Sequence, residues 1–553
     1  MNMHLKKITL GVLMAYAGGA MAFTFETENV SGNFDSTVSA GIGVRAKNTS
    51  CGLVLKDSAG LFTGNPGPSG AGAPTGCTEA VSGLGDQGNL NYGKGDAFTT
   101  YLKGTHELLL KMPENVKFMA RVSWLKDFSA TQTTGYISAG NPTGASQPDD
   151  ARDDLNFKAR LLDLWVSKEF AIGEERARVR AGNQVISWGE SLFLPGGINQ
   201  TNALDLMRLS QPGTQLKEVF LPAPIVSFAT GIGQGMNLEA YVQTNWNKNY
   251  FPPTGSYWSM VNGLGAGHDA YGLSDGKAKS SGQYGASLRW QPKDTQLNLG
   301  AYAMAYHDKS PQFSYNANDS GNPGWIYAED RKLYGISANF PVGDWAVGTE
   351  LSYRPKDAVS LSPATGCVGT NGNCYVDEKK LQWHLTGILS LTPSDYPFIL
   401  KALGGASTAT LMAEAVVVRY PNLKPSYNGE VVSAGGWGWG LENDPAGMPE
   451  SVGTKNSWGY NLDFSWVYDG TLIPGWQVIP EIYYFQAIKG RTPNPMATFM
   501  EGAKSANFIV NFVKNPASWQ IGVNYAKFWG GKRVFDQPYK DRDFFGAFVS
   551  RNF

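Results

Sequence analysis

The sequence predicts an all-β transmembrane barrel, an antiparallel sheet of about 18 strands closed on itself, with one segment folded inward as a plug. Three observations predict this fold. Short segments alternate apolar with polar or small residues, long and short connections alternate between them, and the last strand ends on an aromatic residue. The 67 glycines and the 12% of aromatic residues suit the glycine-rich loops and aromatic girdles of such a barrel.

The N-terminus predicts export from the cytoplasm. Residues 1–22 read as a signal peptide, with cleavage expected before Phe23. They have a basic start, an apolar run over residues 8–17 and small residues at positions 20 and 22. No later stretch approaches the ~20 apolar residues that a membrane helix needs. We therefore expect residues 23–553 to leave the cytoplasm without a helical membrane anchor and to form the barrel.

Alternation along the chain gives the strand count. Phe34, Val38 and Ile42 share one face of the first strand, while Asp35 and Arg45 lie on the other. Tight turns and long loops alternate between such segments, and both termini fall on the predicted periplasmic side. The predicted strands lie near 34–46, 98–111, 116–126, 157–168, 176–188, 224–232, 236–246, 283–291, 296–307, 331–341, 344–354, 379–391, 408–419, 457–468, 476–487, 504–513, 518–529 and 541–553.

Two features bear on the strand count and on the choice of fold. The region 392–410 has the weakest alternation, and 16 strands result if it is misread. A soluble β-rich protein is the alternative fold, and it would bury its tryptophans in a core. Here tryptophans such as Trp124, Trp246, Trp290 and Trp458 stand at strand ends, as in the aromatic belts of membrane proteins.

The four cysteines form two local pairs in predicted outer loops. Cys51 with Cys77 and Cys367 with Cys374 each lie in a polar, glycine-rich segment, which in an exported protein predicts disulfides. Unpaired surface thiols are the alternative. No histidine lies near either pair, so neither is expected to bind a metal.

Residues 189–223 interrupt the alternation. They leave the predicted outer rim between strands five and six, and a barrel this wide has an aqueous channel unless something fills it. Asn202 is expected to cap a helix over 203–210, with Asp205 as its capping-box partner and Pro212 at its end. We expect the segment to fold inward as a constriction or plug, an ordinary outer loop being the alternative. The predicted constriction residues are Leu192, Phe193, Asn202, Leu204, Asp205, Met207, Arg208, Lys217 and Glu218.

Charged residues on strands three to five indicate a polar lumen. Charges at membrane depth belong inside the barrel, where they can pair with charges of the inserted stretch. A solvated wall that selects anions is the alternative interpretation. The predicted luminal charges are Lys117, Arg121, Asp163, Arg176, Arg178 and Arg180.

The final strand, "DFFGAFVSRNF", resembles the C-terminal signal of Gram-negative outer-membrane barrels, although Arg551 departs from the usual apolar choice. The stretches "GNQVISWGESLFLPGGIN" and "RLSQPGTQLKEVFLPAPIV", with the leader and the "LIPGW" turn, resemble a large proteobacterial family labelled only as a domain of unknown function. That resemblance implies an outer-membrane barrel. It also implies association with a periplasmic lipoprotein and an inner-membrane exporter of the resistance-nodulation-division type.

Three functions follow as hypotheses. The first is a gated conduit for a hydrophobic or amphipathic small molecule, with "YWSM" at 257–260 and "GGWGWG" at 435–440 as aromatic loop contacts. The second is a diffusion porin for small polar or anionic solutes. The third, an enzyme, is disfavoured because no histidine accompanies a serine nucleophile motif. No metal or other cofactor is expected, and the partners expected are lipids, lipopolysaccharide and a small hydrophobic ligand. A formal net charge of −1 gives no indication of nucleic-acid binding.

Overall fold

The computed structural model describes most of the barrel and its loops. The described residues are 23–50, 53, 87–132, 147–261, 263–317, 321–363, 366–434, 451–494, 496–514, 517–533 and 536–553. The predicted signal peptide, the Cys51–Cys77 pair and the tryptophans of residues 435–440 lie outside this range.

Eighteen antiparallel strands form one closed sheet, which confirms the predicted fold and the predicted number. Each strand pairs with its neighbours in sequence, and the last strand pairs with the first along Thr37–Arg45, so the ring has no open edge. The strands are β1 Ser31–Arg45, β2 Ala97–Met112, β3 Val116–Asp127, β4 Phe157–Ile172, β5 Glu175–Gln184, β6 Ala223–Gly231, β7 Met236–Gln243, β8 Gln283–Trp290, β9 Asn298–Tyr306, β10 Arg331–Val342, β11 Trp345–Ser360, β12 Tyr375–Leu391, β13 Thr408–Arg419, β14 Asn456–Asp469, β15 Trp476–Lys489, β16 Ala503–Lys514, β17 Trp519–Gly530 and β18 Phe544–Asn552.

Short elements fill the connections. The α-helices are α1 Gln87–Asn91, α2 Asp149–Asn156, α3 Leu206–Leu209 and α4 Pro397–Ala402, and the 3-10 turns are Pro113–Asn115, Leu216–Glu218, His268–Tyr271 and Val368–Thr370. The short strands are Phe23–Glu26, Ala203–Leu204, Phe220–Leu221, Ser274–Asp275, Gln312–Ser314, Gly324–Ile326, Ser426–Tyr427 and Glu430–Val431. Among the helices of the described ranges, none has both the length and the apolar character to cross a bilayer. Helix α4 accounts for the weak alternation near residue 400.

The period of two in the sequence separates an apolar outside from a polar inside. On β12 the side chains of Trp383 and Leu385 are 42% and 40% exposed, whereas Gln382 and His384 are fully buried. Neighbouring β11 repeats the pattern, with Leu351 outside and Glu350 inside. A soluble sandwich would bury its apolar face, whereas a closed sheet with apolar residues outside suits a lipid environment.

The barrel has two different rims. At one, strands are joined by tight turns such as Pro113–Asn115 and the turn at Gly173, whose positive φ of 62° favours glycine. We call this the short-turn rim. The other, the long-loop rim, carries the long connections, and a disulfide joins Cys367 to Cys374 there as predicted.

Apolar side chains pack inside the ring as well as under the long loops. Trp188 and Ile198, from the connection between β5 and β6, pack with Tyr241 and Tyr302 of the wall. Leu194 of the same connection belongs to a second buried cluster with strand residues of β11 and β13. The connection between β5 and β6 is therefore part of the interior of the barrel.

Candidate functional site

The inserted segment, residues 185–222 between β5 and β6, is bound by two buried glutamates of the barrel wall. Glu350 of β11 accepts backbone N–H bonds from Glu190 at 2.6 Å and from Ile198 at 2.8 Å, one on each carboxylate oxygen. Its side chain is 1% exposed. One carboxylate thus ties together two points of the segment that are eight residues apart.

Glu414 of β13 binds the stretch between those points. Its carboxylate accepts backbone N–H bonds from Leu192 at 3.3 Å, Phe193 at 2.6 Å and Leu194 at 2.8 Å. The imidazole Nδ1 of His384 lies 2.7 Å from the other side of the same carboxylate. Such a ring of donors stabilises a buried carboxylate, and bonds to a charged acceptor are stronger than neutral ones.

Wall donors meet the carbonyl groups of the same stretch. Arg354 of β11 donates from Nη2 to the carbonyl oxygens of Gly196 at 2.6 Å and Gly197 at 2.9 Å, and Gln382 donates to Pro195 at 3.0 Å. With Glu350 and Glu414, these two side chains form what we call the backbone anchor. Because the anchor binds main-chain groups, it fixes the path of the segment independently of most of its side chains.

Glycine is required at one position of this contact. A Cβ atom on Gly197 would lie 1.9 Å from Oε1 of Glu350 and 3.0 Å from Nε2 of His384. Both neighbours are themselves hydrogen-bonded, so neither can move aside without losing a partner.

The other end of the segment binds the opposite wall through charged side chains. Lys103 of β2 donates to Glu218 at 2.5 Å and to the carbonyl oxygen of Gly213 at 2.8 Å, and Thr105 donates to Glu218 at 3.2 Å. Arg208 lies 3.7 Å from the same carboxylate. Burial opposes ionisation of Glu218, but Lys103 and Arg208 outweigh it and lower its pKa.

Two further ion pairs reinforce this contact. Asp205 pairs with Arg160 of β4, and Lys217 pairs with Glu107 of β2. Together with the bonds around Glu218 they form what we call the charged anchor. It joins the segment to β2 and β4, whereas the backbone anchor joins it to β11, β12 and β13.

The two anchors lie on opposite sides of the ring. β2 and β11 are nine strands apart in a closed sheet of 18, which is half of its circumference. Residues 190–218 therefore cross the bore from one wall to the other. Trp188 adds a third wall contact, an indole N–H bond of 2.7 Å to Glu239 of β7.

The helix predicted in this segment is shorter than expected and is capped differently. It spans only Leu206–Leu209, and its N-cap is Asp205, whose carboxylate accepts from the N–H of Arg208 at 2.8 Å. The predicted cap, Asn202, is wrong: its side chain instead bonds both backbone groups of Ile186. Residues 203–204, predicted as helical, pair as a short strand with 220–221.

Several apolar residues of the segment are exposed. Leu192, Leu209 and Leu216 are 39%, 59% and 70% exposed. By contrast, Met207 packs against a buried aromatic cluster, and Phe193 lies edge-on to Tyr483 of β15 with ring centroids 5.6 Å apart.

The six predicted luminal charges lie on the strand face opposite to the exposed apolar residues, and they divide into two groups. Arg121 pairs with Asp163 at 2.5 Å and with Glu107 at 3.0 Å, and Lys117 pairs with Glu169 at 2.6 Å. The other three have no ion pair within the described residues; they are Arg176, Arg178 and Arg180, the last stacked on Trp165 at 4.3 Å.

The wall residues of the backbone anchor were not among the predicted site residues. The signal for them was present, because charged and amide side chains recur at alternate positions of β11 and β12 in Glu350, Arg354, Gln382 and His384. Polar side chains at luminal positions are ordinary in a barrel, and nothing local marks those that bind the segment.

The aromatic loop 257–260 does not form an open ligand platform. Tyr257 and Trp258 are 1% and 3% exposed and pack with Phe98 and Phe544 of the barrel, which is loop packing. No group of three or more His, Cys, Asp or Glu side chains suited to a metal occurs among the residues that the structure describes.

Comparisons with known proteins bear on the whole chain. The family model described as "Protein of unknown function (DUF1302)" matches residues 5–553. No curated protein matches. Among solved structures, OpdK of Pseudomonas aeruginosa, solved with vanillate, is 10% identical with a TM-score of 0.39, over 94% of this chain and 98% of that one. OccAB2 of Acinetobacter baumannii and a BenF-like porin of Pseudomonas fluorescens Pf-5, also 10% identical over the same shares, have TM-scores of 0.42 and 0.40.

Proposed function

We propose, from the premise that the chain belongs to the DUF1302 family of proteins of unknown function, that it is a gated outer-membrane channel. Its solute is a hydrophobic or amphipathic small molecule, which passes when the inserted segment moves. The single observation that carries the proposal is the path of residues 190–218 across the bore, anchored on strands half a circumference apart.

A ring of 18 strands is wide enough to contain an aqueous channel unless something fills it. In this proposal the inserted segment obstructs that space, and its anchors consist of hydrogen bonds and ion pairs. Such contacts can be broken and remade, and movement of the segment would also have to release the apolar packing of Trp188, Leu194 and Ile198. A wide barrel with a removable obstruction is the arrangement that a gated conduit needs.

Apolar surface inside the bore supports an amphipathic solute. Leu192, Leu209 and Leu216 belong to the segment that crosses the bore and expose large fractions of their side chains, at a cost of about 25 cal/mol for each Å² left in water. A purely polar solute gains nothing from such surface. A solute with an apolar part would cover it on its way through the lumen.

A diffusion porin for small polar or anionic solutes is the second candidate function. The observation that favours it is the group of luminal arginines without ion pairs within the described residues. A porin requires an open path, however, and the segment crosses that path. The lipoprotein and exporter partners implied by the family resemblance remain predictions.

Planar-bilayer recording separates the two functions. We expect purified wild-type protein to be electrically silent or to open rarely, and a variant in which a short Gly/Ser linker replaces residues 190–217 to conduct steadily. A large steady current from the wild type would refute gating and favour the porin. Heat-modifiable electrophoretic mobility verifies that both proteins are folded barrels.

Solute class needs a separate measurement. Proteoliposomes that contain the linker variant should take up an uncharged apolar fluorophore and a charged amphiphilic one faster than protein-free liposomes do. Uptake of small sugars alone, without the amphiphile, would refute the proposed solute class while leaving the channel itself intact.

A further inference from the structure

A cavity of about 370 Å³ opens in the wall formed by β4 to β8, on the side of the short-turn rim. Three arginines line it: Arg176 and Arg178 of β5 and Arg289 of β8. Thr230 and Asn237 also line the cavity. We call it the arginine cavity.

The carboxylates of this cavity are already engaged elsewhere. Glu169 accepts from Lys117 at 2.6 Å, and Glu239 accepts the indole N–H of Trp188 at 2.7 Å. Neither forms an ion pair with a cavity arginine. Within the described residues, Arg289 donates one hydrogen bond, to the carbonyl oxygen of Ser187 at 3.2 Å. The lining thus has three guanidinium groups against two carboxylates, a surplus of one positive charge, and Glu169 still interacts with Arg176 and Arg178 beyond ion-pair distance.

This surplus is unusual for the lumen of this barrel. Arg121 is paired with two carboxylates, and Lys103, Arg160 and Lys217 each have one. A guanidinium presents donors in a planar fork that matches carboxylate and phosphate oxygens. Positive groups in a concave site with low-dielectric walls raise the local concentration of anions.

A second observation points to a ligand in the same cavity. Ser287 lines it, is only 2% exposed, and its hydroxyl has no hydrogen-bond partner within the described residues. Buried hydroxyl groups are normally bonded. An anion oxygen held by Arg178 or Arg289 would be the acceptor that this hydroxyl lacks.

We propose that the arginine cavity binds the carboxylate or phosphate group of an anionic amphiphile, which enters the lumen from the short-turn rim. This inference rests on the proposed function for the apolar part of the solute. The headgroup site itself depends only on Arg176, Arg178, Arg289 and Ser287.

Binding is tested on the full-length mature protein in nanodiscs of neutral phosphatidylcholine, by titration calorimetry with octanoate, octyl phosphate, inorganic phosphate and octanol. Octanoate and octyl phosphate should bind the wild type, and Arg176→Gln/Arg178→Gln/Arg289→Gln should weaken both about tenfold or more, because charge-assisted bonds are lost. Arg178→Lys, which keeps the charge and loses the planar fork, should weaken binding less than the triple variant does. The matched control Arg152→Gln, in helix α2, should change nothing.

Three outcomes overturn the proposal. The first is an affinity of octanoate for the wild type no higher than that of octanol, and the second is a triple variant that binds both anions as the wild type does. The third is equal affinity for inorganic phosphate and octyl phosphate, which would identify a site for a free anion and exclude an amphiphile as its ligand. Because this binding needs no opening of the segment, its failure is distinct from a failure of gating, which bilayer recording reports.

Discussion

Removal of the Glu414 carboxylate should open the channel. In Glu414→Ala the backbone N–H groups of Leu192, Phe193 and Leu194 lose their common acceptor, and His384 loses its partner. Bonds to a charged acceptor contribute about 1.5–3 kcal/mol each. Two well-formed bonds, at 2.6 and 2.8 Å, and one longer bond, at 3.3 Å, therefore amount to roughly 4 kcal/mol.

That loss predicts a measurable change in gating. Each 1.4 kcal/mol changes an equilibrium about tenfold, so the ratio of open to closed barrels should rise by about a thousandfold. We expect single-channel recordings of Glu414→Ala to show frequent openings where the wild type shows few. Glu414→Gln, which keeps one neutral acceptor oxygen, should give an intermediate open probability.

The matched control is Glu481→Ala. Glu481 lies on the luminal face of β15, two strands from Glu414, and within the described residues it forms no hydrogen bond or ion pair with the inserted segment. Its removal, like that of Glu414, takes one carboxyl group from the luminal face of the wall. The reasoning fails if Glu414→Ala, as a folded barrel, is as silent as the wild type, or if Glu481→Ala opens equally often.

Four further predictions concern other contacts of the segment and the loop disulfide. Lys103→Ala should raise open probability because Glu218 is left buried without its closest cation, and the double variant with Glu218→Ala should recover part of the closure. The pKa of Glu218 is lowered in the folded barrel, so its contribution to closure should be constant from pH 7 down to its ordinary pKa near 4.5. That contribution should be lost only as the pH falls through the lowered pKa, and recordings of current against pH will measure the loss. Gly197→Ala should increase openings because its Cβ displaces Glu350 or His384, whereas an alanine at exposed Gly429 should not. The double variant Cys367→Ser/Cys374→Ser should lower the free energy of unfolding by about 2–3 kcal/mol, from loop entropy alone, while the bore stays closed. An unchanged melting temperature would contradict this prediction.

Strand number and position were predictable because the lipid environment imposes a strong local rule. Every second residue of a strand faces outward and must be apolar, so Trp383 and Leu385 mark β12 without any knowledge of its neighbours. The inserted segment was recognisable for the converse reason, since the alternation stops where β5 ends. Local rules of this kind need no information about closure of the ring.

The contacts of the segment were not predictable in the same way. Glu350 and Glu414 occupy luminal positions like many others, and their role depends on a segment more than 150 residues earlier in the chain. The predicted cap of helix α3 was wrong for a related reason, because Asn202 and Asp205 are both residue types that cap helix N-termini. Tertiary contacts decide between them, because Arg160 holds Asp205 and the backbone of Ile186 holds Asn202.

The chemical difference between the two anchors implies an order of opening. The backbone anchor consists of fully buried groups that bind main-chain atoms, so salt screens it little. The charged anchor includes Lys217, whose side chain is 31% exposed, with Glu107 at 16%. Exposed ion pairs weaken with ionic strength and acid, whereas buried ones change little. The Lys217–Glu107 pair should therefore be the first contact of the segment to weaken. The pairs Lys103–Glu218 and Arg160–Asp205, whose side chains are at most 13% exposed, should resist salt as the backbone anchor does, so release of β2 and β4 requires those two buried pairs to break as well.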